Sequence, residues 1–191
     1  VKIYTKQGDR GDTALFGGQL TRKDSPRVEA YGEVDELNAA VGLARALLAH
    51  REGGGDGELE TILAGLQSDL FTLGAELATP PGTVNKASVF LGEEDVTRLE
   101  QLIDRLQDSL LPQKHFILPG GTATAAALHL ARTVCRRAER AVVSLAGTEA
   151  VSAALVVYLN RLSDLLFVLA RTCNARAGHS DVPWIAHRPE K

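Results

Sequence analysis

Five separate stretches of the chain place apolar residues at three- and four-residue steps, a spacing that builds helices packed along their seams. The first seam is Val34, Leu37, Val41, Ala44 and Leu48; the second runs from Leu59 through Leu63, Leu66, Leu70 and Leu73 to Leu77. Val96, Leu99, Ile103, Leu106 and Leu110 make the third, and Leu128, Ala131, Cys135, Ala138, Val142 and Leu145 the fourth. Leu155, Leu159, Leu162, Leu166, Leu169 and Cys173 complete the set.

The boundary signals agree with the seams. Ser25-Pro26 supplies a hydroxyl N-cap and a proline at the first helical position, and the first helix stops at the glycine linker 53–57. The second helix spans about 58–78 and ends at Thr79-Pro80-Pro81-Gly82, followed by a crossover loop over 80–92. Glu93, Glu94 and Asp95 suit the N-terminal dipole of the third, which Pro112 closes. Thr122 or Thr124 caps the fourth, which reaches Gly147; the fifth covers about 149–177, with Gly178 as its C′ residue. The sequence therefore predicts an all-α, five-helix up-and-down bundle with several helices of ~30 Å or more. It reads as one domain over 1–191, with a glycine-rich loop at 1–24, helices over 25–178 and a polar surface tail at 179–191. Extended structure is expected only at Val1-Lys2-Ile3-Tyr4-Thr5.

A net charge of −3 and the lack of a basic-aromatic pattern argue against a nucleic-acid binder. No leader pattern or membrane span is read, which points to a cytoplasmic protein. Cys135 and Cys173 both fall on seams and read as core thiols of a reducing compartment.

Two stretches carry chemistry. In KQGDRGDTALFGG, Gly8, Gly11, Gly17 and Gly18 expose amides, and Thr5, Lys6, Thr13 and Lys23 add hydroxyls and ammonium groups around them. Such a loop cradles phosphates or merely connects, and it lacks the GxxxxGK[ST] spacing. On the fourth helix Arg132, Arg136, Arg137 and Arg140 fall within nine residues, with Glu139 among them. They form either a solvated face, with guanidiniums snorkelling past the core, or a forked anion site. His129, one turn before Arg132, reads as a satisfied interfacial histidine or as a ligand. Asp35 and Asn38 lie side by side beside the first seam, as a polar flank or in reach of a neighbouring arginine. No Glu-x-x-His pair, HExxH, CxxC or GxSxG occurs, so the chain offers no evident nucleophile and no metal ligand set.

YTKQGDRGDTALFGG and KDSPRVEAYGEVDELNAAVG, then FILPGG, ARTVCRRAERAVV and YLNRLSDLLFVLAR, resemble in the same order the blocks of PduO-type ATP:cob(I)alamin adenosyltransferases. The resemblance covers most of the chain outside the second and third helices. It implies a homotrimer with ATP and corrinoid sites at subunit interfaces. The reaction implied transfers the 5′-deoxyadenosyl group of ATP to cob(I)alamin and releases triphosphate with Mg²⁺ present. By position, Thr5, Lys6, Gln7, Gly8, Thr13 and Lys23 would wrap the triphosphate, and Arg136, Arg137, Glu139, Arg140 and Asn160 would complete the nucleotide site. Arg132 would pair with Asp35 across the interface. Phe116 would press on the lower corrin face, excluding the axial ligand to give four-coordinate Co(II). Gln19-Leu20 departs from the acidic-basic pair common in the family. A reductase and an adenosylcobalamin-dependent enzyme are the implied partners. The rival from another class is a non-catalytic carrier of adenosylcobalamin or nucleotide.

Overall fold

The five seams give five helices in the computed structural model, which describes residues 2–4, 6, 8–50, 54–83 and 90–185. The third helix, however, stops at Gln107 rather than near Pro112, leaving Leu110 of its seam in the connection that follows. The helices are α1 (Pro26–Ala49), α2 (Gly57–Leu77), α3 (Glu93–Gln107), α4 (Ala123–Ala146) and α5 (Ala153–Arg176). Side chains close the open amides at three starts. Ser25 accepts from the Val28 N–H, Asp56 from Leu59, and Thr122 rather than Thr124 from Ala125. At α3 the Asp95 carboxylate reaches back to the Gly92 N–H at 3.0 Å. Gly178, at φ +73°, turns the chain out of α5 as its position predicted. Helix α5 starts four residues later than the sequence suggested, because the turn after Gly147 carries the chain through to Ser152 before helical pairing resumes.

Successive helices run antiparallel. Arg27, at the start of α1, donates to the carbonyls of Leu77 and Thr79 and to Glu149, so the end of α2 and the α4–α5 turn share one end of the bundle. At the other end Arg176 of α5 pairs with Asp56 and Glu58 of α2, and Asn174 accepts from the Thr122 N–H. Helix α1 packs on α2 and α4, α4 on α5, and α5 on α3. The seam residues fill the space between them; Leu37, Leu63, Leu128 and Leu162 are wholly buried. Helix α5 is long and apolar enough by composition to span a membrane, yet more than half of that window is buried within the bundle. Cys135 and Cys173 are buried, and burial pushes the Cys135 thiol far above its usual range. Tyr158 donates to Asp69 at 2.7 Å, and Arg98 of α3 joins the same carboxylate at 2.8 Å.

One feature corrects the sequence reading and another extends it. The extended structure lies in the glycine-rich loop: β1 (Asp12–Ala14) pairs antiparallel with β2 (Leu20–Arg22), Thr13 opposite Thr21, around a turn with Gly17 at φ +94° and Gly18 at φ +87°. Lys2–Tyr4 form no strand, and Val1 and Thr5 lie outside the described residues. The described tail residues are mostly exposed, as expected, but they are also paired. Leu118 N–H donates to Val182 O at 2.8 Å and Trp184 N–H to Phe116 O at 2.7 Å, so residues 182–184 line up beside the loop before α4.

Candidate functional site

The glycine-rich loop is held to the bundle by its backbone, with Phe16 N–H donating to Ala78 O at the end of α2 at 2.9 Å. Beside this hairpin, Lys23 N–H donates to Gly11 O at 2.8 Å, and the Lys23 ammonium sits over Gly8. A Cβ on Gly8 would come within 2.9 Å of that nitrogen, so the missing side chain makes room for the cation. Lys6 adopts φ +61°, unusual for a residue with a Cβ. Gly8 and Lys23 are thus brought together, with Thr13 on the adjoining strand β1. Gln7, like Thr5, lies outside the described residues. Gln19 holds the turn through its carbonyl, which accepts from Leu15 N–H at 2.8 Å, while Leu20 beside it is exposed.

Helix periodicity splits the α4 arginines. Arg132, Arg136 and Arg140 recur every fourth residue on one stripe, whereas Arg137 turns toward α1. There it pairs with Glu33 at 2.5 Å and with Glu36, which raise its already high pKa further. Arg136 and Arg140 are exposed and, among the described residues, pair with no carboxylate; Arg140 donates only to Arg136 O at 3.0 Å. Glu139 accepts from Asn160 of α5 at 3.0 Å, so this carboxylate is committed to an amide beside the stripe. Asn160 in turn accepts from Arg161 at 2.8 Å.

Lower on the stripe, Arg132 Nε is buried without a hydrogen-bond partner. His129 corrects the expectation of a satisfied histidine: both ring nitrogens are buried and unpartnered, with the ring tilted against Phe167 at 5.9 Å. Burial, then the Arg132 charge, pushes its pKa below the ordinary value, against a weaker opposite pull from Asp181. On α1, Asp35 is exposed and forms no ion pair among the described residues. Asn38 instead faces α2, donating to Gln67 O at 3.2 Å while Gln67 donates back to Asn38 O at 3.1 Å.

Phe116 stands 78% exposed in the loop before α4, its ring not spent on the core. With Trp184 and residues 113–115 it lines an open cavity of about 460 Å³. Within one chain the structure therefore presents three separate pieces: the hairpin with Lys23, the arginine stripe, and the bare Phe116 ring. No hydrogen bond or ion pair joins the hairpin to the stripe among the described residues.

Several residues that shape these pieces were not singled out from sequence: Arg27, the Glu33–Glu36 pair, Arg171 and Trp184. Arg171 had a signal, being a cation inside the apolar run LLFVLARTC. The others depend on contacts between distant segments.

A family model described as cobalamin adenosyltransferase matches residues 3–173. The chain is 46% identical over 184 residues to the corrinoid adenosyltransferase of Bacillus subtilis, covering 96% of this chain and 92% of the relative. It is also 46% identical over 187 residues to the cobalamin adenosyltransferase of Cupriavidus metallidurans, covering 98% and 96%. Among solved structures, a variant PduO-type ATP:corrinoid adenosyltransferase from Lactobacillus reuteri, complexed with cobalamin and ATP, is similar at TM-score 0.89 and 41% identity, covering 96% of each chain.

Proposed function

The chain belongs to the cobalamin adenosyltransferase family, and on that premise we propose that it moves the 5′-deoxyadenosyl group of ATP onto cob(I)alamin at sites shared between copies in a homotrimer. The observation that carries this reading is the α4 stripe: Arg136 and Arg140 stand open to solvent without carboxylate partners among the described residues, beside Glu139 and Asn160. Two forked guanidiniums left free in this way suit a polyphosphate. The hairpin, with the Lys23 ammonium over Gly8, makes no hydrogen bond or ion pair to the stripe among the described residues, which is the arrangement expected where one copy supplies the loop and its neighbour the helix.

The chemistry asks little of side-chain nucleophiles. Reduced cobalt attacks C5′, the C5′–O bond breaks, and triphosphate leaves. The protein must hold C5′ in line with cobalt and stabilise the leaving group. Lys6, Gly8, Thr13 and Lys23, with Thr5 and Gln7, would wrap the triphosphate, and Arg136 and Arg140 would meet its charge, Glu139 and Asn160 completing the nucleotide site. Arg137 has a second duty here, since it already clamps α1 through Glu33 and Glu36. Among the described residues no group of three His, Cys, Asp or Glu side chains converges, so Mg²⁺ arriving with ATP would rely on phosphate oxygens and water. Among the described residues Arg132 and Asp35 each form no ion pair, which supports their meeting across the interface. The exposed Phe116 ring would cover the lower corrin face and keep the axial ligand off. Cys135 and Cys173, buried on the helix seams, suit a reducing compartment, and cytoplasmic placement is part of the proposal.

The test is turnover by purified protein supplied with ATP, Mg²⁺ and chemically reduced cobalamin, with mass spectrometry of the corrinoid. Adenosylated corrinoid with stoichiometric triphosphate is expected; binding without ATP consumption would instead make the chain a carrier. Arg136→Ala should lower kcat by roughly 10²–10³, the loss of one leaving-group donor worth about 2–4 kcal/mol. Phe116→Ala should abolish the four-coordinate signal of cob(II)alamin bound with ATP.

A further inference from the structure

The segment carrying Phe116 has an unusual means of support. Residues 108–122 join α3 to α4 without helical structure, and Phe116 itself is largely exposed, so its own side chain does not anchor it. What holds it is backbone: Phe116 O and Leu118 N–H bond to Trp184 N–H and Val182 O of the tail. The tail needs a fixed point of its own, and Arg171 provides it. This guanidinium belongs to α5, its side chain only 8% exposed. Its Nε donates to Asp181 at 2.7 Å and its Nη2 to Leu111 O at 2.8 Å. Asp181 directly precedes the residue that bonds Leu118, and Leu111 lies upstream on the same connection as Phe116. One buried cation therefore ties down both strands that bracket the ring.

We propose that Arg171 is a positioning residue for Phe116, acting by fixing the tail segment 181–184 against the loop so that the ring keeps its place beneath the corrin. The inference rests on the adenosyltransferase reading for its catalytic consequence, but the latch itself does not depend on it. A planar fork making two bonds in different directions suits the task; a lysine at the same place offers one charge point and cannot serve both partners with the same geometry. Displacing a ring that must exclude an axial ligand by about 1 Å is enough to cost roughly 10²-fold in a positioned reaction.

Two measurements on the full-length protein separate the latch from its consequence. Amide hydrogen exchange without ligands reads the latch: in Asp181→Asn and Arg171→Gln the Leu118 and Trp184 amides should lose protection while α4 and α5 amides keep theirs. Cob(II)alamin with ATP reads the consequence. Both variants, and a chain ending at Ser180, should lose most of the four-coordinate signal and lower kcat by roughly 10- to 100-fold, with KM for ATP within about twofold of the parent. Arg171→Lys should fall between parent and Arg171→Gln. Adding Arg171→Gln to the chain ending at Ser180 should cost less than the same substitution costs in the parent, because the tail's share is already gone and only the bond to Leu111 O remains to be lost. Unchanged protection at Leu118 and Trp184, an undiminished four-coordinate signal in the shortened chain, or a further loss in the combined variant as large as Arg171→Gln causes in the parent would each overturn the proposal. If the parent protein shows no transfer at all while the exchange result holds, the adenosyltransferase reading fails and the latch stands.

Discussion

Gly121→Ala should destabilise the protein far more than its neighbour Gly120→Ala, and the difference can be worked from the geometry. Gly121 has φ +103°, where a residue with a Cβ is strained by about 1–3 kcal/mol. The added carbon would lie 2.1 Å from Asn174 Oδ1 and 2.5 Å from its Cγ and Nδ2. Asn174 is almost fully buried and has nowhere to yield, since its amide accepts from Thr122 N–H at 3.0 Å and donates to Gly120 O at 3.0 Å. Expelling it sacrifices both bonds, each worth about 0.5–1.5 kcal/mol net. Together the terms give about 2–6 kcal/mol, which for a chain of this size lowers the thermal midpoint by roughly 5–20 °C. Gly120 has no atom within 4 Å of a built Cβ and no positive φ, so Ala there should stay within about 1 kcal/mol of the parent. Urea unfolding with an unchanged slope is the assay. In the double variant Gly121→Ala/Asn174→Ala the clashing atoms are gone, and its cost should fall short of the sum by roughly 1–3 kcal/mol. A Gly121→Ala protein within about 1 kcal/mol of the parent, or a strictly additive double variant, would refute the reasoning.

The Arg27–Glu149 pair should respond asymmetrically. Glu149→Ala strands a buried guanidinium and should cost about 3–5 kcal/mol, whereas Arg27→Met leaves a carboxylate with 37% of its side chain in solvent and should cost about 1–3 kcal/mol. Urea midpoints giving the reverse ranking would contradict this. His129 should impose an acid-side loss of stability. Its folded pKa lies below the unfolded value, so its contribution is whole above about pH 6.5 and drains away as pH falls toward the folded value. His129→Leu should flatten that limb, measured as the change in urea midpoint between about pH 7.5 and 5; an unaltered slope would show that another group carries it.

The helices were legible because burial acts on every turn: Leu59 to Leu77 and Leu155 to Cys173 repeat the same demand, and Ser25-Pro26 and Gly178 mark chain conformations few other residues accept. Three-residue strands such as Asp12–Ala14 are too short to show alternation, so the glycines at 17 and 18 read as a flexible cradle when they also form a tight turn. Pairings across the fold left no trace of this kind. Arg137 looks like any other member of its cluster until Glu33 and Glu36 are seen opposite it, and the tail looks like a polar ending until Trp184 N–H meets Phe116 O. The stripe of Arg132, Arg136 and Arg140 was visible as a pattern, but its isolation from the hairpin, with no hydrogen bond or ion pair between them among the described residues, was not.

Helix α3 has the least hold on the rest: two of its fifteen residues, Leu99 and Leu106, are fully buried, and its packing partner is α5. The Asp69 carboxylate, gripped by Arg98 and Tyr158, pegs it near its start. Melting should accordingly begin there, with α3 peeling away as a unit while α1, α4 and α5 stay assembled. Because Leu111, an anchor of the Phe116 connection, lies just beyond that helix, thermal loosening would free that connection at temperatures where bulk helicity still looks intact.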